Sequence, residues 1–355
     1  RQRQMCIRDS IAIQLNVWRV LGVTGMRANE LGNTVLPGLG WVMAAFVFVG
    51  GLVFNVGNIA GTGLGLNAML GIDPKIGGII AGAIAVFVFL SKRAGMALDR
   101  LVGALGAIMI LLMLYVAIVS NPPVGEALKN TVAPEKMDFF VITTLIGGSV
   151  GGYITFAGAH RLIDSGITGR ENVGRIAYTS ISGIIVTGLM RILLFLAVLG
   201  VVATGVALSE DNTAADVFYH AAGEIGLRAF GLVLFAAGLS SVIGSAYTSV
   251  TFVTTQNVSK RTTNLMTVAF VTVCTLAFII LDSPPQQLLI FAGAFNGLIL
   301  PIGFIIILWV IYLRRDLLQG YKYPAWLGVL GVIAFLVSTY IGINAITALI
   351  DLFQS

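Results

Sequence analysis

Charge is what this sequence has least of. Asp, Glu, Lys and Arg make up 10% of its 355 residues, while 57% are hydrophobic. Soluble domains sit near 25% charged. So few charges cannot clothe a water-facing surface, and a soluble enzyme is excluded. Most of the outside must face lipid, where backbone polar groups are satisfied only within helices or closed barrels. Cysteine is nearly absent as well. Cys6 and Cys274 share no motif, so neither a disulfide nor a metal cluster is expected of them. Histidine is limited to His160 and His220. A formal net charge of +5 could suggest nucleic acid. The basic residues fall instead in short loops between apolar runs, and no nucleic-acid or obligate protein partner is expected.

The first ten residues, Arg1–Ser10, read RQRQMCIRDS and resemble nothing downstream. No apolar stretch with a small-residue cleavage site follows, so they are not a signal peptide. MCIRDS is what a common sequencing-library adaptor encodes. Residues 1–10 are therefore expected to be a non-native tag, and 11–355 a single transmembrane domain.

What the sequence does have is runs of apolar residues long enough to cross a bilayer. Ile11–Gly25 reads as the end of a helix. Gly40–Leu70, Ile76–Leu90, Leu101–Val119, Phe139–Ile163 and Ile176–Val206 follow it. Leu227–Val253, Leu265–Leu281, Leu288–Leu313 and Trp326–Leu352 complete the set. The expectation is about nine full spans. Alternate loops carry Arg27; Lys92, Arg93 and Arg100; Arg161, Arg170 and Arg175; Lys260 and Arg261; Arg314, Arg315 and Lys322. Lys and Arg concentrate in cytoplasmic loops, which places the C-terminus on the non-cytoplasmic side.

One span carries a signal of its own. Gly147-Gly148-Ser149-Val150-Gly151-Gly152-Tyr153 lies mid-span. Each glycine costs about 1 kcal/mol relative to alanine inside a helix, so the run predicts a break. Unwound backbone at membrane depth survives only against protein or in a wet cavity, where its carbonyls can hold an ion or a substrate. Close glycine packing between helices is the plainer alternative. Asn296 could add an oxygen ligand or simply make an interhelical hydrogen bond, while Tyr153 and Thr155 could line the vestibule through their hydroxyls or cap the broken helix. No acidic residue reaches the middle of a span; Asp138 sits at a helix entrance and Asp164 at an exit. Arg191 interrupts Ile176–Val206 and would repel a cation. It reads as a tie to backbone carbonyls or within reach of an interface. His160 reads as solvated or hydrogen-bonded. Gly147-Gly148-Ser149-Val150 mimics a serine-protease context. Its nearest histidine, His160, lies about 16 Å along the same helix at 1.5 Å per residue, beyond the reach of a general base.

The chain resembles the Nramp (natural resistance-associated macrophage protein) family of divalent metal transporters. The residues that carry the resemblance are Val23-Thr24-Gly25, Asn55-Val56-Gly57-Asn58-Ile59-Ala60-Gly61-Thr62, Ile146–Tyr153 and Ala237-Gly238-Leu239-Ser240-Ser241. The resemblance implies an all-α polytopic membrane protein with a LeuT-like inverted-repeat fold. It places a metal between broken helices one and six. The family's first-helix Asp-Pro-Gly-Asn motif is not in this sequence, so the first transmembrane helix is expected to be lacking and the chain N-terminally truncated. The family's sixth helix reads Ala-x-x-Met-Pro-His; here those positions are Gly148, Gly151, Gly152 and Tyr153. The third helix usually offers an Asp and a Glu; here Asn55 and Asn58 stand there. Loss of the thioether favours a hard, oxygen-loving ion, and an amide cannot relay a proton. Both departures resemble the Nramp-related magnesium transporters. The resemblance thus implies transport of a divalent cation, magnesium, without proton coupling, in the inner membrane of a bacterium. The implied metal positions are Gly148, Gly151, Gly152, Tyr153 and Asn296, with no resident cofactor. A proton-coupled manganese or iron transporter, and an amino-acid transporter of the same fold, remain alternatives.

Overall fold

The computed structural model describes the backbone of residues 2–91, 94–132, 139–150, 152–209, 211–254 and 258–354. Its helices are α1 (Gln2–Thr24), α2 (Ala28–Val35), α3 (Leu39–Leu70), α4 (Pro74–Leu90), α5 (Ala94–Val119), α6 (Val124–Val132), α7 (Phe139–Val150), α8 (Gly152–Asp164), α9 (Val173–Ala203), α10 (Thr213–Val253), α11 (Lys260–Leu281), α12 (Pro285–Tyr312) and α13 (Ala325–Gln354). No strand occurs among the described residues.

Local chemistry sets the ends. Asp73 caps α4, its carboxylate accepting from the Lys75 and Ile76 amides at 2.9 and 3.2 Å, and Pro74 opens the first turn. Asn212 caps α10 through the Ala215 amide, and Ser259 caps α11 through the Thr262 amide. Gly71, with φ of 72°, closes α3 in the left-handed conformation. The middles of the helices face outward with apolar side chains; Leu111, Ile118, Val186, Leu276 and Leu336 are all exposed. That surface is unaffordable in water and natural in lipid.

Each apolar run of the sequence is carried by a helix, and the run Phe139–Ile163 by two, α7 and α8. Gly151, between them, lies outside the described residues, as do Lys92, Arg93, Lys136, Asp138 and Glu210. Helix α10 begins well before Leu227, at Thr213, and passes through a non-helical Gly223 with φ of 63°. Its first part carries Asp216, His220 and Glu224, and that polarity hid it from a search for apolar runs. Helices α2 and α6 escaped for the same reason.

The loops that carry Arg27, Arg170 and Arg314 gather at one end of the bundle. There the Gly169 amide donates to Gly22 O at 2.9 Å and Arg314 donates to Thr34 O at 3.3 Å. At the opposite end Asn212 donates to Leu64 O and Lys75 pairs with Asp282. The Lys75 ammonium holds the Asp282 carboxyl below the usual carboxylate range, chiefly by hydrogen bonding.

At the centre α3 lies against α10. A Cβ on Gly51 would collide with Ser249 Oγ, one on Gly65 with the Phe235 amide, and one on Gly238 with Thr62 Oγ1. The pairs 51/249, 62/238 and 65/235 keep a constant sum, which is antiparallel packing. The opposite side of α3 meets α12: Gly57 lies against Ala292 and Gly50 against Asn296 and Ile299. Small residues on both partners let the helices approach closely.

Gly65→Ala pushes a methyl into the backbone of α10, which cannot step aside. The expected cost is about 1–3 kcal/mol, read as a lower thermal midpoint in detergent. Gly106, whose Cβ would meet nothing within 4 Å, is the control. Its change to alanine leaves the midpoint unchanged or slightly raised, and equal losses in both variants contradict the packing described.

Candidate functional site

Four helices meet at Gly50 and Gly51 of α3. Because neither residue has a side chain, Tyr153 of α8 and Asn296 of α12 come up against the α3 backbone. Tyr153 Cβ and Asn296 Oδ1 stand 3.4 and 3.1 Å from where a Cβ on Gly50 would be. The Tyr153 hydroxyl donates to Ser245 O of α10 at 2.7 Å, and the Ser249 hydroxyl donates to the same oxygen at 2.8 Å. The Asn296 amide donates to Ala292 O at 2.9 Å and to Gly50 O at 3.3 Å. Asn296 is fully buried, and its Oδ1 has no partner among the described residues. A buried acceptor left in that condition costs free energy, and it is the kind of oxygen that takes a water or a cation.

Asn55 and Asn58 continue the same stripe of α3, at helical spacing from Gly51. Asn55 is fully buried, and neither its Oδ1 nor its Nδ2 has a partner among the described residues. Asn58 Nδ2 is likewise unpartnered, while its backbone oxygen accepts the Thr62 hydroxyl at 2.6 Å. The stripe Gly51, Asn55, Asn58, Thr62 is therefore a polar seam in an otherwise apolar bundle.

Gly148 lies elsewhere. It borders a half-open cavity of about 760 Å³ lined by α1, α7, α8, α9 and α12, which neither Tyr153 nor Asn296 lines. Trp18, Ile184, Phe195 and Leu289 give that cavity apolar walls, and Arg191 brings a charge into it. The Arg191 guanidinium donates to Gly148 O at 2.9 Å and to Leu145 O at 3.3 Å. This is the tie to backbone carbonyls that the sequence suggested. The expected metal positions are thus divided: Tyr153 and Asn296 share one node, Gly148 faces a guanidinium, and Gly152 opens α8. Among the described residues no group of three His, Cys, Asp or Glu side chains could hold a metal.

A second polar cluster was missed. Arg27 reads from sequence as an ordinary loop charge, yet its side chain is 9% exposed. It donates to Asp164 Oδ1 at 2.9 Å and to Thr251 O and Thr254 O at 3.2 and 3.3 Å. Asn29 donates to Phe252 O at 3.1 Å. His160 is not solvated: it is 1% exposed, stacks on Phe252, and its Nε2 lies 3.3 Å from Asp164 Oδ2, off hydrogen-bond alignment. These contacts tie α2, α8 and α10 together at the basic end. The only local signal was Glu30, three residues past Arg27, whose carboxylate accepts the Arg27 amide at 3.0 Å.

This architecture defines an all-α membrane protein of the LeuT-like inverted-repeat class. The family model described as natural resistance-associated macrophage protein-like matches residues 9–348, and the chain belongs to this Nramp family, whose members are transporters and not enzymes. It is 46% identical over 335 residues to the uncharacterized membrane protein YcsG of Bacillus subtilis, covering 94% of this chain and 82% of that protein. An uncharacterized membrane protein of Haemophilus influenzae is 43% identical over 346 residues, covering 97% of this chain and 87% of the other. Among solved structures, the Eremococcus coleocola manganese transporter bound to an aromatic bis-isothiourea compound superposes with a TM-score of 0.72 at 17% identity, over 100% of this chain and 81% of that one. MhsT in complex with L-phenylalanine gives a TM-score of 0.57 at 16% identity, over 98% and 90%.

Asp164→Asn removes the carboxylate from a guanidinium that is almost wholly desolvated. The expected loss is about 1–3 kcal/mol, seen as a lower thermal midpoint. Asp316→Asn, at an exposed pair with Arg314, shifts stability by less than about 0.5 kcal/mol. A silent Asp164→Asn contradicts the role given to this cluster.

Proposed function

We propose that the protein carries a divalent metal cation across the membrane, that magnesium is the cargo, and that no proton accompanies it. Membership of the Nramp family supports transport of a divalent metal. The observation that carries the finer reading is the donor set around Gly50 and Gly51: the free Oδ1 of Asn296 against Gly50 on one side, and the hydroxyl of Tyr153 on Ser245 O on the other. It offers amide, hydroxyl and carbonyl oxygen and no sulfur. Thioethers and thiolates select softer metals, whereas oxygen and water suit magnesium, calcium and manganese. Magnesium sheds its waters reluctantly, so buried, unpartnered amides at Asn55 and Asn58 suit an ion that keeps part of its hydration shell. Because those positions hold amides, the route has no carboxylate to pass a proton along.

Alternating access on this reading needs the basic end to open. The contacts of Arg27 with Asp164 and of Asn29 with Phe252 O are the ones that would part. Relatives in two bacteria and the loop charges support an inner-membrane location with the C-terminus outside. The Eremococcus coleocola neighbour is a manganese transporter, which favours a second reading, manganese with proton co-import.

Uptake into proteoliposomes decides between them, using the chain together with any coding sequence that precedes residue 11. Magnesium should enter without acidifying the lumen. Manganese entry accompanied by acidification, with no response to magnesium, refutes the proposal. The double variant Asn55→Asp/Asn58→Glu should add pH dependence to uptake that the parent lacks.

A further inference from the structure

If α10 were straight, Phe218 and Phe230 would lie about 18 Å apart at 1.5 Å per residue. Their rings instead stack with centroids 4.4 Å apart. A Cβ on Gly226 would also collide with Phe218 O, an atom two turns away along a straight helix. The chain therefore doubles back at Gly223, whose φ of 63° and ψ of −157° fall in a region that essentially only glycine adopts. A Cβ on Gly223 would meet nothing within 4 Å, so the turn itself, and not crowding, calls for glycine. Residues 213–222 are an arm folded back on the rest of α10.

The arm has an apolar side and a wet side. Ala215, Val217 and Phe218 are buried in one cluster with Ala68 of α3, Met113 of α5 and Val201 of α9, while Tyr219 and His220 are exposed. Its tip is tied to two other helices. The Asn212 amide donates to Leu64 O of α3 at 3.2 Å, and the Gln286 carboxamide oxygen of α12 accepts the Thr213 amide at 3.3 Å. Along α12, Asn296 lies about 15 Å from Gln286 at 1.5 Å per residue. The tip thus bridges α3 and α12 at the end opposite Arg27, on the pair of helices between which Asn296 is buried. Both ties are hydrogen bonds between neutral groups, which water replaces at little net cost. We propose that residues 213–222 form a lid, hinged at Gly223, that shuts the transport route at this end and swings away to pass cargo. Here the lid is shut, and so is the tie of Arg27 to Asp164 at the other end. The inference rests on transport, and not on which cation is carried.

Two measurements test the lid, both in a background without Cys6 and Cys274. In Thr213→Cys/Gln286→Cys the tip is joined to α12 by a short bis-methanethiosulfonate. Joining stops magnesium uptake into proteoliposomes, and reductant restores it. Uptake at the same rate with the tip joined overturns the proposal. The second measurement does not depend on transport. Val217 is fully buried on the arm's apolar side, so Val217→Cys reacts with a water-soluble maleimide only when the arm lifts. Adding Gly223→Ala disfavours the turn that the shut lid needs and speeds that reaction about tenfold. An equal rate with and without Gly223→Ala overturns the hinge. If Gly223→Ala does not fold, the joined tip decides alone. If the unjoined protein takes up neither magnesium nor manganese, the transport reading fails, and the maleimide rates still decide whether the arm moves.

Discussion

Backbone amides and carbonyls at membrane depth have no water to fall back on, and every interruption of a helix there must be answered by another part of the protein. A charge placed there must be answered in the same way, and here the carbonyls answer it. In α7 the carbonyls of Leu145 and Gly148 border a cavity, and an arginine from α9 donates to both. Just beyond, α8 begins and presents Tyr153 to the opposite side, against the backbone of α3. Gly148 and Tyr153 thus face two environments. One is a mostly apolar cavity with a guanidinium; the other is a buried seam of amides and hydroxyls.

That separation governs what each side can do. The cavity face already holds a positive charge, which disfavours a metal there. The seam has unpartnered amide oxygen on Asn296 and Asn55. Neither face contains a carboxylate or a thioether among the described residues. A divalent ion served by such groups gives up little hydration energy and gains little in return. Weak, exchangeable binding is what passage through a carrier requires.

The spans were legible because a lipid-facing helix announces itself through apolar length alone. The contribution of Arg191 could also be inferred: an intramembrane arginine with no acid at its depth has carbonyls as the natural partner. Other features were not legible. Nothing local pairs Arg27 with Asp164, which lie 137 residues apart, and the loop charge that reveals orientation conceals a buried tie. Nor could the sequence divide Gly148 from Tyr153. They are neighbours along one apolar run, and glycines carry no side-chain direction to say which way each part of it will face. The polar helices α2 and α6 and the first part of α10 went unseen because the search was for hydrophobicity.

The division between fixed and movable parts follows from the kind of contact each helix makes. Helix α3 meets α10 and α12 through glycines whose missing side chains are filled by backbone, serine, threonine and asparagine. Interiors packed this tightly do not deform continuously, so α3, α10 and α12 form a frame. Helices α7 and α8 join that frame through α12, where Gly293 and Gly297 lie against the Thr144 and Thr143 backbone and Gly303 against the Phe156 ring. What sets α8 apart is the polar contact it adds at each end, the Tyr153 hydroxyl on Ser245 O and the Asp164 carboxylate on Arg27. Those groups have alternative partners in water, so they are the contacts that can be exchanged at small net cost while the glycine packing holds.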